Sequence, residues 1–271
     1  MSDKHDTLGD RMKEIEQVEA GRKLDLTLPI CIRLDGKGFS KFTKGLRRPF
    51  DERLSRLMIE VTKYLVKVCG ACLGYTQSDE ISLVLYTKNL GSEPFLGGKV
   101  QKLTSILASM ATAKFNSLLA DSIPEKASQL AFFDCRVWNT PTLEEGMNTF
   151  QWRELDASKN SVSMLAHDHF SHNKLQSKTC DQMKEMLSEH NISWTDQPDF
   201  FKRGTFVQKR LTTRKFTTEE IDSLPPNHQA RTNPELIVER SDIRELNLPT
   251  FSTIANRVDV VFFGADPILK S

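Results

Sequence analysis

The sequence predicts an α+β fold: a ferredoxin-like βαββαβ core over residues 1–140, followed by a helical or mixed extension over residues 141–271 packed on that core. Three observations predict it. A short apolar strand ends at Asp35-Gly36 and leads into an amphipathic helix. A hairpin pattern then occupies residues 71–86. A long helix and one further strand signal close the unit by residue 138.

Taken in order, Leu8, Met12 and Ile15 recur at helical spacing among charges and predict an N-terminal amphipathic helix. After Pro29, residues 30–34 alternate Ile30, Ile32 and Leu34 with Cys31 and Arg33, a strand pattern. A polar connection runs to Pro49. Leu54, Leu57, Met58, Val61, Leu65 and Val68 then form a helix-period stripe over residues 51–69, closed by Gly70. In the hairpin, residues 71–76 form one strand, Gln77-Ser78-Asp79-Glu80 the turn, and Ile81, Leu83 and Leu85 one face of the return strand. A Gly/Pro-containing loop at residues 91–98 precedes a helix over 100–120, where Ala108, Ala111 and Ala113 allow close packing, and residues 131–138 read as a strand. Polymerase palms share this order.

Beyond Pro141 the pattern is mainly helical. Residues 150–165 are apolar and amide-rich, and Thr179 with Gln182 forms a capping box for a helix ending near His190. Residues 200–215 are basic, Pro225-Pro226 marks a break, residues 227–248 are polar, and residues 258–263 carry the last strand signal. No internal repeat or low-complexity segment is present.

With 27% charged and 38% hydrophobic residues, the composition excludes a disordered chain. No apolar run approaches the ~18 residues of a membrane span. The polar, Asp-bearing first ten residues are unlike a secretory signal, so a cytoplasmic protein with no membrane association is expected. Five cysteines, with Cys69-x-x-Cys72 unaccompanied by a second pair at metal-ligand spacing, read as reduced, buried small residues. His167, His169 and His172 read as solvated or RNA-facing. Net charge is only +1, yet Lys37, Lys41, Lys44, Arg47, Arg48, Arg53 and Arg56 crowd residues 37–56, and Lys202, Arg203, Lys209, Arg210, Arg214 and Lys215 fall in 202–217 with no acid. Such runs attract phosphates, or else form solvated faces balanced by acids elsewhere.

The pattern that carries chemistry is Asp35 at a strand end and Asp79-Glu80 at the turn of a neighbouring hairpin. In a β-α-β-β unit these meet at one edge of the sheet. Carboxylate oxygens suit Mg²⁺, which also binds substrate phosphates. Two such ions about 4 Å apart activate an attacking oxygen and steady a leaving pyrophosphate. Asp35, Asp79 and a main-chain carbonyl near Gly36 would supply the framework, and Gly36 and Gly38 let backbone N–H groups approach a triphosphate. On residues alone, Asp-Gly is also an ordinary turn and Ser-Asp-Glu an ordinary hairpin tip.

Cys31-Ile-Arg-Leu-Asp-Gly-Lys-Gly-Phe39 followed by Tyr75-Thr-Gln-Ser-Asp-Glu-Ile-Ser82 closely resembles the tRNA(His) guanylyltransferase superfamily, reverse polymerases that add nucleotides 3′-to-5′ at the tRNA 5′ end. Arg48-Pro49 with Asp51, Phe133-Asp134-Cys135-Arg136, Trp152-Arg153 with Asp156 and Asn160, and Pro198-x-x-Phe201-Lys202-Arg203-Gly204 follow in the family's order, so the likeness spans residues 5–215. The resemblance implies that Asp35 and Asp79, with the Gly36 carbonyl and support from Glu80, bind two Mg²⁺. It implies that Lys37, Gly38, Phe39, Ser40, Ser78 and Asn160 surround the nucleotide triphosphate, with Arg48 where the family has a phosphate-contacting lysine. Arg136, Arg153, Lys202 and Arg203 would face tRNA. A 5′-monophosphorylated tRNA would be activated with ATP or GTP, and the 3′-hydroxyl of an incoming nucleotide would then attack the activated phosphate. The family's usual homotetramer is also implied.

The sequence departs from the eukaryotic enzymes at two places. Ser40 replaces a histidine, and Ser158-Lys-Asn-Ser-Val-Ser-Met164 replaces the His-Ile-Asn-Asn-Leu-Tyr-Asn motif, of which Asn160 survives. The connection from Asp35 to Arg48 is also shorter by about two residues than the family's. These changes resemble the bacterial and archaeal-type relatives, which favour templated repair of 5′-truncated tRNA. The alternatives are a tRNA(His) guanylyltransferase adding a single G, a palm-type nucleotide cyclase, and a tRNA-binding module without catalysis.

Overall fold

The computed structural model describes residues 7–87, 95–233 and 235–270. Part of the loop expected at residues 91–98 lies outside the described residues. The elements in order are α1 (Thr7–Ala20), β1 (Ile30–Gly36), α2 (Phe39–Phe42), α3 (Glu52–Cys69), β2 (Leu73–Gln77), β3 (Glu80–Leu85), α4 (Val100–Ser122), β4 (Phe133–Asn139) and α5 (Leu143–His169). The extension adds α6 (His172–Leu175), α7 (Cys180–Glu189), α8 (Asp199–Lys202), β5 (Thr205–Lys215), α9 (Thr218–Ser223), α10 (Gln229–Thr232), β6 (Ile237–Leu246) and α11 (Arg257–Phe263).

The local signals explain the core elements. Asp51 caps α3 by accepting from the Arg53 N–H, and Gly70 ends it in the left-handed region (φ 67°) that glycine adopts without strain. Its stripe from Leu54 to Leu65 is buried, while Val68 faces solvent. The Thr179–Gln182 capping box starts α7 as expected. α1 forms, but none of its residues is buried, so Leu8, Met12 and Ile15 stay exposed.

The strands make one antiparallel sheet in the order β4-β1-β3-β2-β5-β6, whose first four members have the ferredoxin-like arrangement. On one face Ile30, Ile32, Leu34, Ile81 and Leu83 pack against Leu57, Met58 and Leu65 of α3 and Leu107 and Phe115 of α4. On the other, Cys31, Tyr75, Val84 and Phe206 pack against Phe150 of α5 and Val260 of α11. The C-terminal half of α5 joins α7 and α8 through Val162, Leu165, Leu187 and Phe201. Residues on alternate positions of one strand serve opposite cores, as a two-sided sheet requires.

Two features of the extension differ from expectation. The basic segment 200–215 and the polar segment 227–248 contain β5 and β6, which lengthen the sheet. β5 pairs with β2 only through Thr205, Phe206 and Val207. From there it runs with β6 as a two-stranded arm whose residues are mostly exposed or half-buried, so apolar alternation is weak. Residues 258–263 lie in a helix rather than a strand: Val260, Val261 and Phe262 are buried in succession, and Gly264 caps the end in the left-handed region. A short apolar run reads alike for both when buried all round. Arg210 of β5 donates to the Gly264 and Ala265 carbonyls and completes this cap.

Phe115 is fully buried among Phe39, Phe42 and Phe133, with ring centroids 5.5–5.8 Å away. Phe115→Ala should therefore cost about 3–5 kcal/mol in urea unfolding. It should also loosen the segment that carries Lys37 to Ser40.

Candidate active site

The site grows from the register of three strands. Asp35, on the α5 side of β1, stands opposite Glu80 on β3 and opposite Asp134 on β4. The hairpin tip is tied to the end of β1, because the Gly36 N–H donates to the Asp79 carbonyl at 3.1 Å. The tip is tight: Ser78 has φ 55°, and its hydroxyl donates to Asp79 Oδ1 at 3.1 Å. Folding thus gathers Asp35, Asp79 and Glu80 at one sheet edge.

Their environment is electrostatically loaded. Asp79 is pushed up to about 6, first by burial and then by the neighbouring Asp35 and Glu80 charges, against which its own backbone N–H and Ser78 act. Glu80 is also raised by burial, opposed by Arg153. Arg153 forks onto Glu80, Nε to Oε1 at 2.6 Å and Nη2 to Oε2 at 2.7 Å. Among the described residues no three His, Cys, Asp or Glu side chains converge to chelate an ion unaided, the His167, His169 and His172 group included. Two carboxylates whose charges oppose each other, beside an open cleft, nevertheless fit Mg²⁺, which takes one or two carboxylates and completes its shell with water and substrate phosphates.

Beside the carboxylates lies a cleft of about 360 Å³, large enough for a nucleotide, lined by Ser40, Lys44, Arg47, Arg48, Ser78 and His167 among others. Its floor is braced from behind. Lys126, itself buried, donates to the Lys44 carbonyl at 2.8 Å, and Asp51 accepts from the Arg47 N–H and from Arg53. Gly38 turns the chain in the left-handed region (φ 70°), and Lys37 and Ser40 are exposed. The Phe39 ring is buried under Gly36, where an added Cβ would come within 2.3 Å of it. Phe39 can therefore offer a ligand only its main chain.

The remaining predicted residues are distributed unevenly. Asn160 is exposed on α5, donating to Asp156 Oδ2 at 3.2 Å, one turn before the cleft-lining Ser163 and Met164. Arg136 is exposed on β4, 3.5 Å from Asp134. Arg153, Lys202 and Arg203 are turned to internal partners: Lys202 to the Thr195 carbonyl and Asp199, Arg203 to buried Glu154, Asp199 and the Leu248 carbonyl. Arg33, not among the site residues expected from the sequence, lies on the same edge as Asp35. It stands directly opposite Arg136, with its guanidinium 5.8 Å from the Trp152 ring and its Nε buried without a partner. The repulsion between these like charges is offset in part by Asp134 beside Arg136 and by Glu80, whose carboxyl the Arg33 charge holds down. The position of Arg33 two residues before Asp35, hence on the same face, was the available signal. Lys44 and Arg47, expected only as part of a basic run, and His167, expected as solvated or RNA-facing, line the cleft. Cys69 and Cys72 are free, and burial raises their thiols to about 12 and 11, as suits inert core residues.

A palm-like sheet with paired carboxylates beside a basic, nucleotide-sized cleft is the architecture of nucleotide-transferring proteins. The family model described as tRNAHis guanylyltransferase matches residues 9–141. A bacterial tRNA(His) guanylyltransferase-like protein solved in complex with ATP is 35% identical, with a TM-score of 0.74, and the match covers 90% of this chain and 94% of that one. One in complex with GTP is 32% identical, with a TM-score of 0.70 and coverage of 91% and 94%. The tRNA(His) guanylyltransferase of Saccharomyces cerevisiae is 27% identical over 69% of this chain and 86% of its own. The chain belongs to the tRNA(His) guanylyltransferase superfamily. Among the described residues no helix is long and apolar enough to cross a membrane.

The raised Asp79 makes a pH prediction. Its folded value of about 6 exceeds the ordinary 3.8, so the metal-free fold holds the proton more tightly than the unfolded chain. That stabilisation is complete below pH ~4 and lost as pH rises through about 6. Asp79→Asn should then be more stable than wild type in EDTA at pH 7.5, by on the order of 1–2 kcal/mol, and equal to it near pH 4. Thermal melts at the two pH values check this; no gain at pH 7.5 would contradict it.

Proposed function

We propose that this protein is a template-dependent 3′-to-5′ nucleotidyltransferase that repairs 5′-truncated tRNA. The observation that carries the reading is that the basic cleft reaches the hairpin tip at Gln77 and Ser78, next to Asp79, whose carbonyl Gly36 ties to the strand end bearing Asp35. The relatives solved with ATP and with GTP support a nucleoside triphosphate as the substrate, and the size and basic lining of the cleft favour it as the place of the activating nucleotide. Arg48, Lys44 and Lys37 neutralise its triphosphate, while Ser40, Ser78 and the main chain at Gly38 and Phe39 orient it. Asn160 would approach the nucleotide from α5, one turn before the cleft-lining Ser163 and Met164.

Asp35 and Asp79, with the Gly36 carbonyl, would hold two Mg²⁺. Those ions would supply charge neutralisation and activation of the attacking oxygen. The chain's own residues do the positioning. The cleft sets the α-phosphate of the activating nucleotide in line with the 5′-monophosphate of the RNA. On the far side of the carboxylates, Arg33 and Arg136 form a second anion site, suited to the triphosphate of the incoming nucleotide or to the RNA 5′ end. The arrangement thus provides two phosphate sites flanking one metal edge, as a two-transfer reaction needs. Arg136 remains in the proposed RNA surface, and Lys202 and Arg203 shape its support through α8 and Glu154.

Incubation with 5′-monophosphorylated, 5′-truncated tRNA, ATP, Mg²⁺ and labelled nucleotides should lengthen the RNA at its 5′ end. Asp35→Asn and Asp79→Asn should each lower extension by about 10³-fold or more, with tRNA binding retained. Arg48→Ala should raise KM for ATP roughly tenfold, the size expected when a charged phosphate contact is lost. Failure to extend any truncated tRNA would sink the repair reading, and cyclic products from nucleotide alone would replace it with a cyclase.

A further inference from the structure

We propose that Arg153 is a positioning residue: it withholds Glu80 from the divalent cations and turns that carboxylate into a strut between the hairpin tip and α5. The inference rests on the metal reading above and narrows it, because it leaves Asp35 and Asp79 as the side-chain ligands.

Both Glu80 oxygens are engaged in the folded chain. Oε1 accepts from Arg153 Nε at 2.6 Å and from the Ser82 hydroxyl at 3.3 Å, and Oε2 accepts from Arg153 Nη2 at 2.7 Å. The pair is largely buried, at 15% and 13% side-chain exposure, so water screens it little. The guanidinium is itself held. Its Nη2 also reaches Asp156 Oδ2 at 3.1 Å, and its plane lies 4.7 Å from the Trp152 ring centroid. Tyr75, at the buried face of β2, donates its hydroxyl to the Arg203 carbonyl at 2.8 Å and approaches the Arg153 carbonyl at 3.4 Å, which ties this part of α5 to the sheet. Three of the carboxylate's roughly four acceptor sites are thus filled, and the fork fixes the direction of the one left on Oε2. A lysine keeps the charge and cannot reproduce the planar fork.

Removing the fork would free Glu80 as a third ligand and delete a positive charge near the ions. Both effects tighten metal binding while the hairpin tip loses its brace. A residue with a merely structural role would weaken both binding and turnover.

The test is Mn²⁺ binding to the full chain without RNA, followed by electron paramagnetic resonance of free Mn²⁺, alongside 5′-extension kinetics. Arg153→Gln should bind Mn²⁺ about tenfold more tightly than wild type and lose about 10–100-fold in kcat, with KM for ATP within about threefold. The Arg153→Gln/Glu80→Gln double variant should return Mn²⁺ affinity to near the wild-type value. Arg153→Lys, which keeps the charge and loses the fork, should bind Mn²⁺ more tightly than wild type but less tightly than Arg153→Gln and still lose kcat, and it carries the test if Arg153→Gln does not fold. Unchanged or weaker Mn²⁺ binding by Arg153→Gln, or full turnover by Arg153→Lys, overturns the proposal. Wild-type protein that binds no Mn²⁺ overturns the metal reading itself, and the proposal with it.

Discussion

The structure depends on one register. β1 is paired on both sides, and the pairing sets Asp35 opposite Glu80 and Asp134 while Gly36 binds the Asp79 carbonyl. A slip of one residue would turn Asp35 into the core and Leu34 out to the edge. Burial prevents it: Ile30, Ile32 and Leu34 are nearly inaccessible on the α3–α4 side. The hydrophobic face of β1 therefore positions the acidic one. The cost is electrostatic, visible in the raised Asp79, and a divalent cation is the natural counter-charge.

α5 extends that order away from the sheet. Arg153, Asp156, Asn160, Met164 and His167 recur at spacings of three and four, so one helix face runs from the carboxylates to the cleft. Its opposite face is apolar and fills two cores, through Phe150 and through Val162 and Leu165. The 27-residue helix spans about 40 Å at 1.5 Å per residue, long enough to connect the metal edge with the far wall of the cleft. Basic residues then fall on both sides of the acids: Arg33 and Arg136 toward β4, and Lys44, Arg47 and Arg48 toward α3.

The core was legible where side-chain period and end signals agreed. The stripe from Leu54 to Leu65 between Asp51 and Gly70, and the Ser78-Asp79 turn between two apolar strands, carry their structure locally. The acidic edge was legible because strand-terminal residues of a βαββ unit meet there. Arg33 was hidden inside an apolar strand, since its partner Arg136 is over a hundred positions away in sequence. β5 and β6 were hidden for a different reason: a two-stranded arm in solvent needs no buried face, so its charges resemble a binding surface. Lys202 and Arg203 show the same ambiguity from the other side. Their charges are matched by Asp199 and Glu154, which composition counts and one-dimensional runs do not pair. α11 was misread because burial on all sides erases the period that separates helix from strand.

The central claim is that this edge joins a nucleotide to an RNA 5′ end. The direct measurement is the fate of α-labelled ATP incubated with 5′-monophosphorylated, truncated tRNA and Mg²⁺ while extending nucleotides are withheld. The account predicts phosphatase-resistant label joined to the RNA 5′ end through a 5′–5′ pyrophosphate bond. Label found at the RNA 3′ end, or only in cyclic nucleotide, would contradict it.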